Sequence, residues 1–335
     1  MSSLWSSFVG YFFSSDHGTP SVNHLASSPS TQNGEAEGLI LELLEIYGKL
    51  KARKCLKPCD EVDGLFGKLV DMCILNRSSK VTAQILQDLR FLEIRTDLRH
   101  LCDKAECCLE THSADNIIGN GNSTPEEVYQ RLTSFPYFQN YVDLTRLELS
   151  TINGVRNSPN PISKIAFLGS GPLPLTSLCL CGAFGDPLNL PNTSSSPISV
   201  LNIDLNPIAI SQSQNLCQAL GPRGNGMSFT CTSAGSPDVD LKEFDIVYLA
   251  ALVGSSQTEK EKVLVDVVKR MKEGALLVVR SADRLRRLMY PAFDPSSEMV
   301  RRWLDILAVV HPYNHVVNSV VIGRARGCGG EEGSV

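Results

Sequence analysis

No stretch of the chain holds the roughly 20 consecutive apolar residues that a membrane-spanning helix needs, so no integral membrane segment is expected. Strong charge of either sign is missing too: 31 Lys and Arg stand against 36 Asp and Glu, a formal net charge of −5. That balance offers no electrostatic footprint for nucleic acid or for an anionic membrane surface. The N-terminus carries Leu4, Trp5, Phe8, Val9, Tyr11, Phe12 and Phe13 but lacks a basic leader and is broken by Ser and Gly, so no secretory signal is expected. The eleven cysteines are an odd and scattered set, unlike the even frameworks that staple short secreted domains. Cys55 and Cys59, Cys107 and Cys108, and Cys179 and Cys181 lie close in sequence, but no second Cys pair or His pair completes a tetrahedral metal set. Reduced thiols, no metal site and a cytoplasmic location are expected.

The chain does have enough apolar sequence, 42% over 335 residues, to bury one large core or two smaller ones. Residues 1–36 are rich in Ser, Asn, Gly and Pro and show no sustained period, as in a disordered arm. From there to residue 155 the pattern is helical. Ile40, Leu43, Leu44, Tyr47 and Leu50 share one helix face, as do Val62, Leu65, Phe66, Leu69, Val70 and Cys73. A third helix is expected from Val81 to about Leu109. Thr124, Pro125 and Glu127 are placed to open the next, with Thr124 as cap, Pro125 in the first turn and Glu127 closing a capping box. Residues 37–155 therefore predict a helical N-terminal bundle.

The period changes at Lys164. Short apolar runs at Ile165–Leu168, Val200–Ile203, Met227–Cys231, Ile246–Leu249 and Leu276–Val279 alternate with helical segments such as Glu259–Met271. That alternation predicts a doubly wound parallel sheet of the α/β class. Ile306–Val310 and Val316–Ile322 flank a short link and predict a closing antiparallel hairpin. Residues 156–324 thus read as a methyltransferase-like domain, and 325–335 as a flexible tail.

Gly169-Ser170-Gly171-Pro172 follows the first strand, where a turn needs positive φ and close approach of backbone to ligand. Asp204 ends the second strand, where an acidic side chain reaches ribose hydroxyls. Pro172 and Pro174 remove backbone donors at the position where a helix N-terminus would bind pyrophosphate. S-adenosylmethionine has ribose and adenine without phosphate and loses nothing by this, so the loop favours it over a dinucleotide.

The string Phe167–Ser177 resembles nicotianamine synthase of plants. So do Phe244–Gly254, Val279–Ala282, His311-Pro312 with Val317–Ile322, and Phe135–Tyr141. The resemblance runs in order from about Glu37 to Arg324. It implies a helical domain joined to a methyltransferase-like one, and a reaction in which three S-adenosylmethionine molecules give up aminopropyl groups. Nicotianamine, a metal chelator, and methylthioadenosine are the products. S-adenosylmethionine is then the substrate, with no further cofactor. Two features depart from the family pattern: Thr232-Ser233 lacks an acidic residue after the third strand, and Gly185–Pro197 and Gly221–Gly226 are longer and more polar.

Attack by an amine requires a proton acceptor, because an α-ammonium keeps its proton up to about pH 8. Substrate carboxylates call for cations. The resemblance assigns Glu106 and Tyr137 as catalytic. Gly169, Ser170, Gly171 and Asp204, with Ala250, Leu252 and Val253, are expected around the S-adenosylmethionine. Arg280, just after the fifth strand near the ligand edge of the sheet, is expected to pair a substrate carboxylate, with Tyr290 beside it. Glu110 shares the helix face of Glu106. Arg284, Arg286 and Arg287 read as a solvated face, and His311 as structural. A methyltransferase and a non-catalytic nucleoside-binding module are the competing functions, and assembly of identical chains is left open.

Overall fold

The computed structural model describes residues 29–157, 160–185 and 198–327. They form two compact units: residues up to Leu109 together with Arg284–Met289, and Glu110–Asp283 together with the residues from Tyr290 onward.

The first unit is helical. Its helices are α1 (Pro29–Lys51), α2 (Asp60–Ile74), α3 (Ser79–Gln87) and the first part of α4 (Leu89–Ile118). The expected stripes are its core: Ile40, Leu43 and Leu50 of α1 and Val62, Leu65, Phe66, Leu69, Val70 and Cys73 of α2 are all buried. Leu285 and Leu288, in the helical turn Arg284–Leu288, are buried as well. The Arg99 guanidinium donates to the carbonyl of Arg287 at 2.6 and 3.2 Å.

Two expectations need correction here. The arm was placed at 1–36, but α1 begins at Pro29, where a proline fits the first turn. Asn33 accepts from Gln84 at 2.7 Å, Glu35 pairs with Arg77 at 3.0 Å, and Ala36 is buried. Polar side chains that look like a linker in sequence are here partners of α3 and its approach. Residues 1–28, with the Trp5–Phe13 aromatics, lie outside the described residues. The single helix expected over Val81–Leu109 is also two helices. Asp88 adopts an extended backbone, and its carboxylate accepts the N–H of Arg90 at 2.9 Å, capping α4 instead of continuing α3.

The second unit is built on a seven-stranded sheet. Its strands are β1 (Lys164–Leu168), β2 (Ser199–Asp204), β3 (Met227–Cys231), β4 (Ile246–Leu249), β5 (Leu276–Ser281), β6 (Leu304–Val310) and β7 (Ser319–Ala325). The order is β3-β2-β1-β4-β5-β7-β6. The first five are parallel, while β7 runs antiparallel to both β5 and β6. This is the expected α/β sheet with its terminal hairpin. Strands β4 and β5 are buried along their whole length, which explains their unbroken apolar runs.

Helices cover both faces. One face packs Leu264, Val267 and Val268 of a helix spanning Gln257–Val268 against Leu168, Val247, Leu249, Leu277 and Val279. The other packs Leu144, Leu149 and Ile152 of the helix Phe138–Val155 against Ile165, Phe167, Ile246, Tyr248 and Val278. That second contact explains where the units divide. Helices give way to strands near residue 155, as expected, but packing divides the chain at Leu109, because the helices beyond it belong to the sheet.

Among these helices is Pro125–Thr133, opened by the expected capping box: Thr124 Oγ1 accepts from Glu127 N, and Glu127 Oε2 accepts from Thr124 N. Strand β7 continues through Ala325, and Arg326 pairs with Asp305 at 2.8 Å, so the ordered chain extends into the expected tail. The segments 186–197 and 328–335 lie outside the described residues.

Candidate ligand and catalytic site

The site forms where the C-terminal ends of β1, β2 and β4 meet. Beyond β1 the chain turns through Gly169 at φ 83° and Gly171 at φ 68°. Both conformations favour glycine, and the space around each is filled. A Cβ on Gly169 would lie 2.5 Å from Val253 Cγ2 and 3.1 Å from Ala250 Cβ. One on Gly171 would lie 2.8 Å from Glu110 Oε2. The Gly169 and Ser170 amides both donate to the carbonyl of Ile203, at 2.7 and 3.2 Å. The glycine loop is thereby tied to the end of β2.

Asp204 stands at that end, as expected, and is only partly exposed. Oδ2 accepts from Gly171 N and Oδ1 from Asn206 N, each at 2.9 Å. Each carboxylate oxygen has a second lone-pair direction, so both can still accept a ligand hydroxyl. Leu205 and Ile208 beside it are 72% and 61% exposed, giving an apolar surface next to the acid. Thr232 donates its amide to the Asp204 carbonyl at 3.0 Å, so β3 ends at the same point without an acidic residue there.

Ser170 is buried, yet its Oγ has no hydrogen-bond partner among the described residues. Leaving a buried hydroxyl unsatisfied costs about 1–3 kcal/mol. A ligand acceptor in the loop would remove that cost. The turn after β4 closes the wall: Ala250 N donates to Leu168 O at 3.1 Å and Val253 N to Ala250 O at 3.2 Å, with Leu252 half-buried between them.

A second acidic group at this loop is Glu110. Its side chain is buried, Oε1 accepts from Tyr141 Oη at 2.8 Å, and Oε2 is the atom that a Gly171 side chain would strike. Glu106 lies one turn earlier on α4, half-buried in the helical unit, with Cys102 as a neighbour. Tyr137 caps the helix that carries Tyr141 and meets Phe135 edge-on at 5.8 Å. Tyr290 is buried in the sheet unit.

Arg280 differs from expectation. Instead of being open to a substrate carboxylate, it is 5% exposed and makes a fork to Glu148, with Nε to Oε1 at 2.8 Å and Nη2 to Oε2 at 3.1 Å. Nη2 also donates to Thr176 Oγ1 at 2.7 Å, and the guanidinium lies 5.3 Å from the centre of the Phe167 ring. Burial works to lower its pKa, but the Glu148 carboxylate outweighs this and the net direction is upward. Burial, reinforced by Glu148, raises the neighbouring Tyr248 hydroxyl well above its usual range. The fork lies behind the glycine loop, with Thr176 in the short helix Leu175–Leu180 that leads from it.

Sequence reading missed Tyr141, which sits inside the matched string Phe135–Tyr141, and Lys260, discussed below. Lys260 lies among Glu259, Glu261 and Lys262 and resembles a solvated run. Only its spacing, four before Leu264 and seven before Val267, puts it on the apolar stripe. Burial pushes the Cys179 and Cys217 thiols up to about 12. Among the described residues no group of three His, Cys, Asp or Glu could hold a metal ion, and no helix is long and apolar enough to cross a membrane.

Residues 31–328 match the family described as Nicotianamine synthase protein. The chain is 35% identical to Nicotianamine synthase 9 of Hordeum vulgare over 291 residues, 87% of this chain and 79% of that one. It is 34% identical to Nicotianamine synthase 1 of Arabidopsis thaliana, covering 86% of this chain and 84% of that one. Among solved structures it is similar to a mutant of MtNAS in complex with S-adenosylmethionine, with TM-score 0.65, 19% identity, and coverage of 86% of this chain and 98% of that one. MtNAS in complex with MTA and tNA gives TM-score 0.68 at 18% identity, covering 85% and 97%. At such identities the structural likeness concerns the fold.

Proposed function

The chain belongs to the nicotianamine synthase family, and from that premise we infer that it makes nicotianamine from three S-adenosylmethionine molecules at the Gly169–Gly171 loop. In each transfer an amine nitrogen forms a bond to the substrate carbon γ to the amino acid end. The bond from that carbon to sulfur breaks, its electron pair stays on sulfur, and neutral methylthioadenosine leaves. The nitrogen loses a proton, which a side chain must accept. Two such transfers join the three units. In the third displacement the α-amine of the unit that still carries its sulfonium attacks its own γ carbon, which closes the azetidine ring, breaks that carbon–sulfur bond and releases the third methylthioadenosine and a proton.

Asp204 is suited to the ribose hydroxyls, and Leu205 and Ile208 to the face of the base. Ser170 Oγ is suited to a polar ligand atom. For the proton acceptor, two carboxylates lie against Gly171. Asp204 is held by the amides of Gly171 and Asn206 and suits the ribose, whereas Glu110 is oriented by the Tyr141 phenol, and that orientation carries the assignment. A carboxylate oriented by a phenol can hold an incoming amine and take its proton. Glu106, suggested by the resemblance, becomes the comparison residue.

Glu110→Gln keeps the shape but cannot accept the proton, so it should bind S-adenosylmethionine and form no product. Glu106→Gln should remain active. The reverse outcome would move the acceptor one turn back along α4.

A further inference from the structure

Lys260 is fully buried in the helix Gln257–Val268, and among the described residues no acidic side chain pairs with it. Its Nζ donates to two backbone carbonyls, Ala251 O at 2.7 Å and Ala250 O at 3.4 Å. The carboxylates beside it in sequence are engaged elsewhere: Glu259 accepts from Ser255, and Glu261 from Gln257 and Ser297. Burying an amine among apolar residues with only carbonyls as partners is unfavourable, and a leucine would fit the stripe better. The carbonyls belong to the turn that forms one wall of the glycine loop.

That turn is held at both ends. Gly254, at φ 81°, brings its backbone so close to the helix that a Cβ there would lie 2.7 Å from Lys260 Cα and N. At the other end, Ala250 and Val253 close on Gly169. We propose that Lys260 is a positioning residue for S-adenosylmethionine: its amine ties down the carbonyls of Ala250 and Ala251 and so presets the β4 turn against Gly169. The proposal rests on the reading that this loop binds S-adenosylmethionine. It goes beyond that reading by assigning part of the affinity to a side chain whose amine is spent on backbone carbonyls. Without the amine both carbonyls lose their donor, and the turn must be ordered by the ligand at the expense of affinity. Once S-adenosylmethionine is bound the reacting groups are unchanged, so turnover at saturation persists.

The test compares the full chain with Lys260→Met and Lys260→Gln. Binding of S-adenosylmethionine is followed by calorimetry, together with KM, kcat and thermal unfolding. Methionine keeps the length and removes the donor; glutamine keeps a donor on a shorter arm. The expected result for Lys260→Met is a rise in Kd and KM of roughly ten- to a hundred-fold, with kcat within about two-fold and no fall in Tm at pH 7. Lys260→Gln should recover part of the lost affinity, and it gives the same comparison should the Met variant fail to fold. Unchanged Kd in the variants, or a fall in Tm at unchanged Kd, would overturn the proposal and leave Lys260 a packing residue. Failure of the unaltered protein to bind S-adenosylmethionine would instead overturn the reading of the loop on which the proposal rests.

Discussion

Tyr141 donates its phenolic proton to Glu110 Oε1 at 2.8 Å, while the other oxygen of that carboxylate faces Gly171 of the ligand loop. The hydroxyl orients the carboxylate and takes up one of its lone pairs. Tyr141→Phe should therefore leave S-adenosylmethionine binding within a few-fold and lower kcat by roughly ten- to a hundred-fold. That is less than the 10²–10⁴ typical of losing the base itself. Single-turnover kinetics would show it, and an unchanged rate would remove Tyr141 from the catalytic arrangement.

The Asp204 carboxylate braces the amides of Gly171 and Asn206, and we propose that its remaining lone pairs take the ribose hydroxyls. Asp204→Ala should weaken S-adenosylmethionine binding by about 1.5–3 kcal/mol, the scale of a hydrogen bond to a charged group. Asp204→Asn should lose less than Ala, because one amide oxygen can still accept from Gly171. Equal affinity for all three proteins by calorimetry would show that Asp204 only ends the strand.

The fork between Arg280 and Glu148 is buried at both ends, with side-chain exposures of 6% and 0%. Removing one partner strands the other charge, so Glu148→Gln or Arg280→Met should each lower stability by about 3–5 kcal/mol. Replacing both with apolar residues should recover much of that loss. Denaturant unfolding of the two single variants and the double variant checks this. Single variants within about 1 kcal/mol of the parent would argue that water or another group compensates the charge.

Lys260 makes stability depend on pH with an unusual sign. Burial lowers its pKa from an ordinary 10.5 to about 7. Well above pH 10.5 the amine is neutral in both folded and unfolded chains and burial carries no charge penalty. As pH falls toward 7 only the unfolded chain takes up the proton, which favours unfolding, and below about 7 the penalty is complete. The stability gained by Lys260→Met should therefore grow by up to about 1.4 kcal/mol per pH unit from pH 10 to 7, then level off. Unfolding midpoints of the two proteins across that range provide the measurement. A constant difference would mean that the amine keeps its proton when folded.

Much of this was legible in the sequence, and the misses have physical reasons. Strands β4 and β5 show as unbroken apolar runs because both their faces are covered, and Thr124 with Glu127 marks a helix start because the capping box is local chemistry. The turn at Gly169 and Gly171 and the strand end at Asp204 were legible because a turn with positive φ and an acid at a strand end have few substitutes. Arg280 was misread because a buried arginine and an open one look alike until the partner is known, and Glu148 lies 132 residues away. Glu106 and Glu110 share a helix face, so spacing alone could not separate them; the neighbours of Glu110, Gly171 and Tyr141, are remote in sequence and support proposing it.

The most direct measurement is to incubate the purified chain with S-adenosylmethionine alone and identify every product by mass spectrometry. Nicotianamine should appear with methylthioadenosine, three nucleosides for each chelator formed, and both should disappear in Glu110→Gln. S-adenosylhomocysteine as the dominant nucleoside, with no nicotianamine, would contradict aminopropyl transfer and make the protein a methyltransferase.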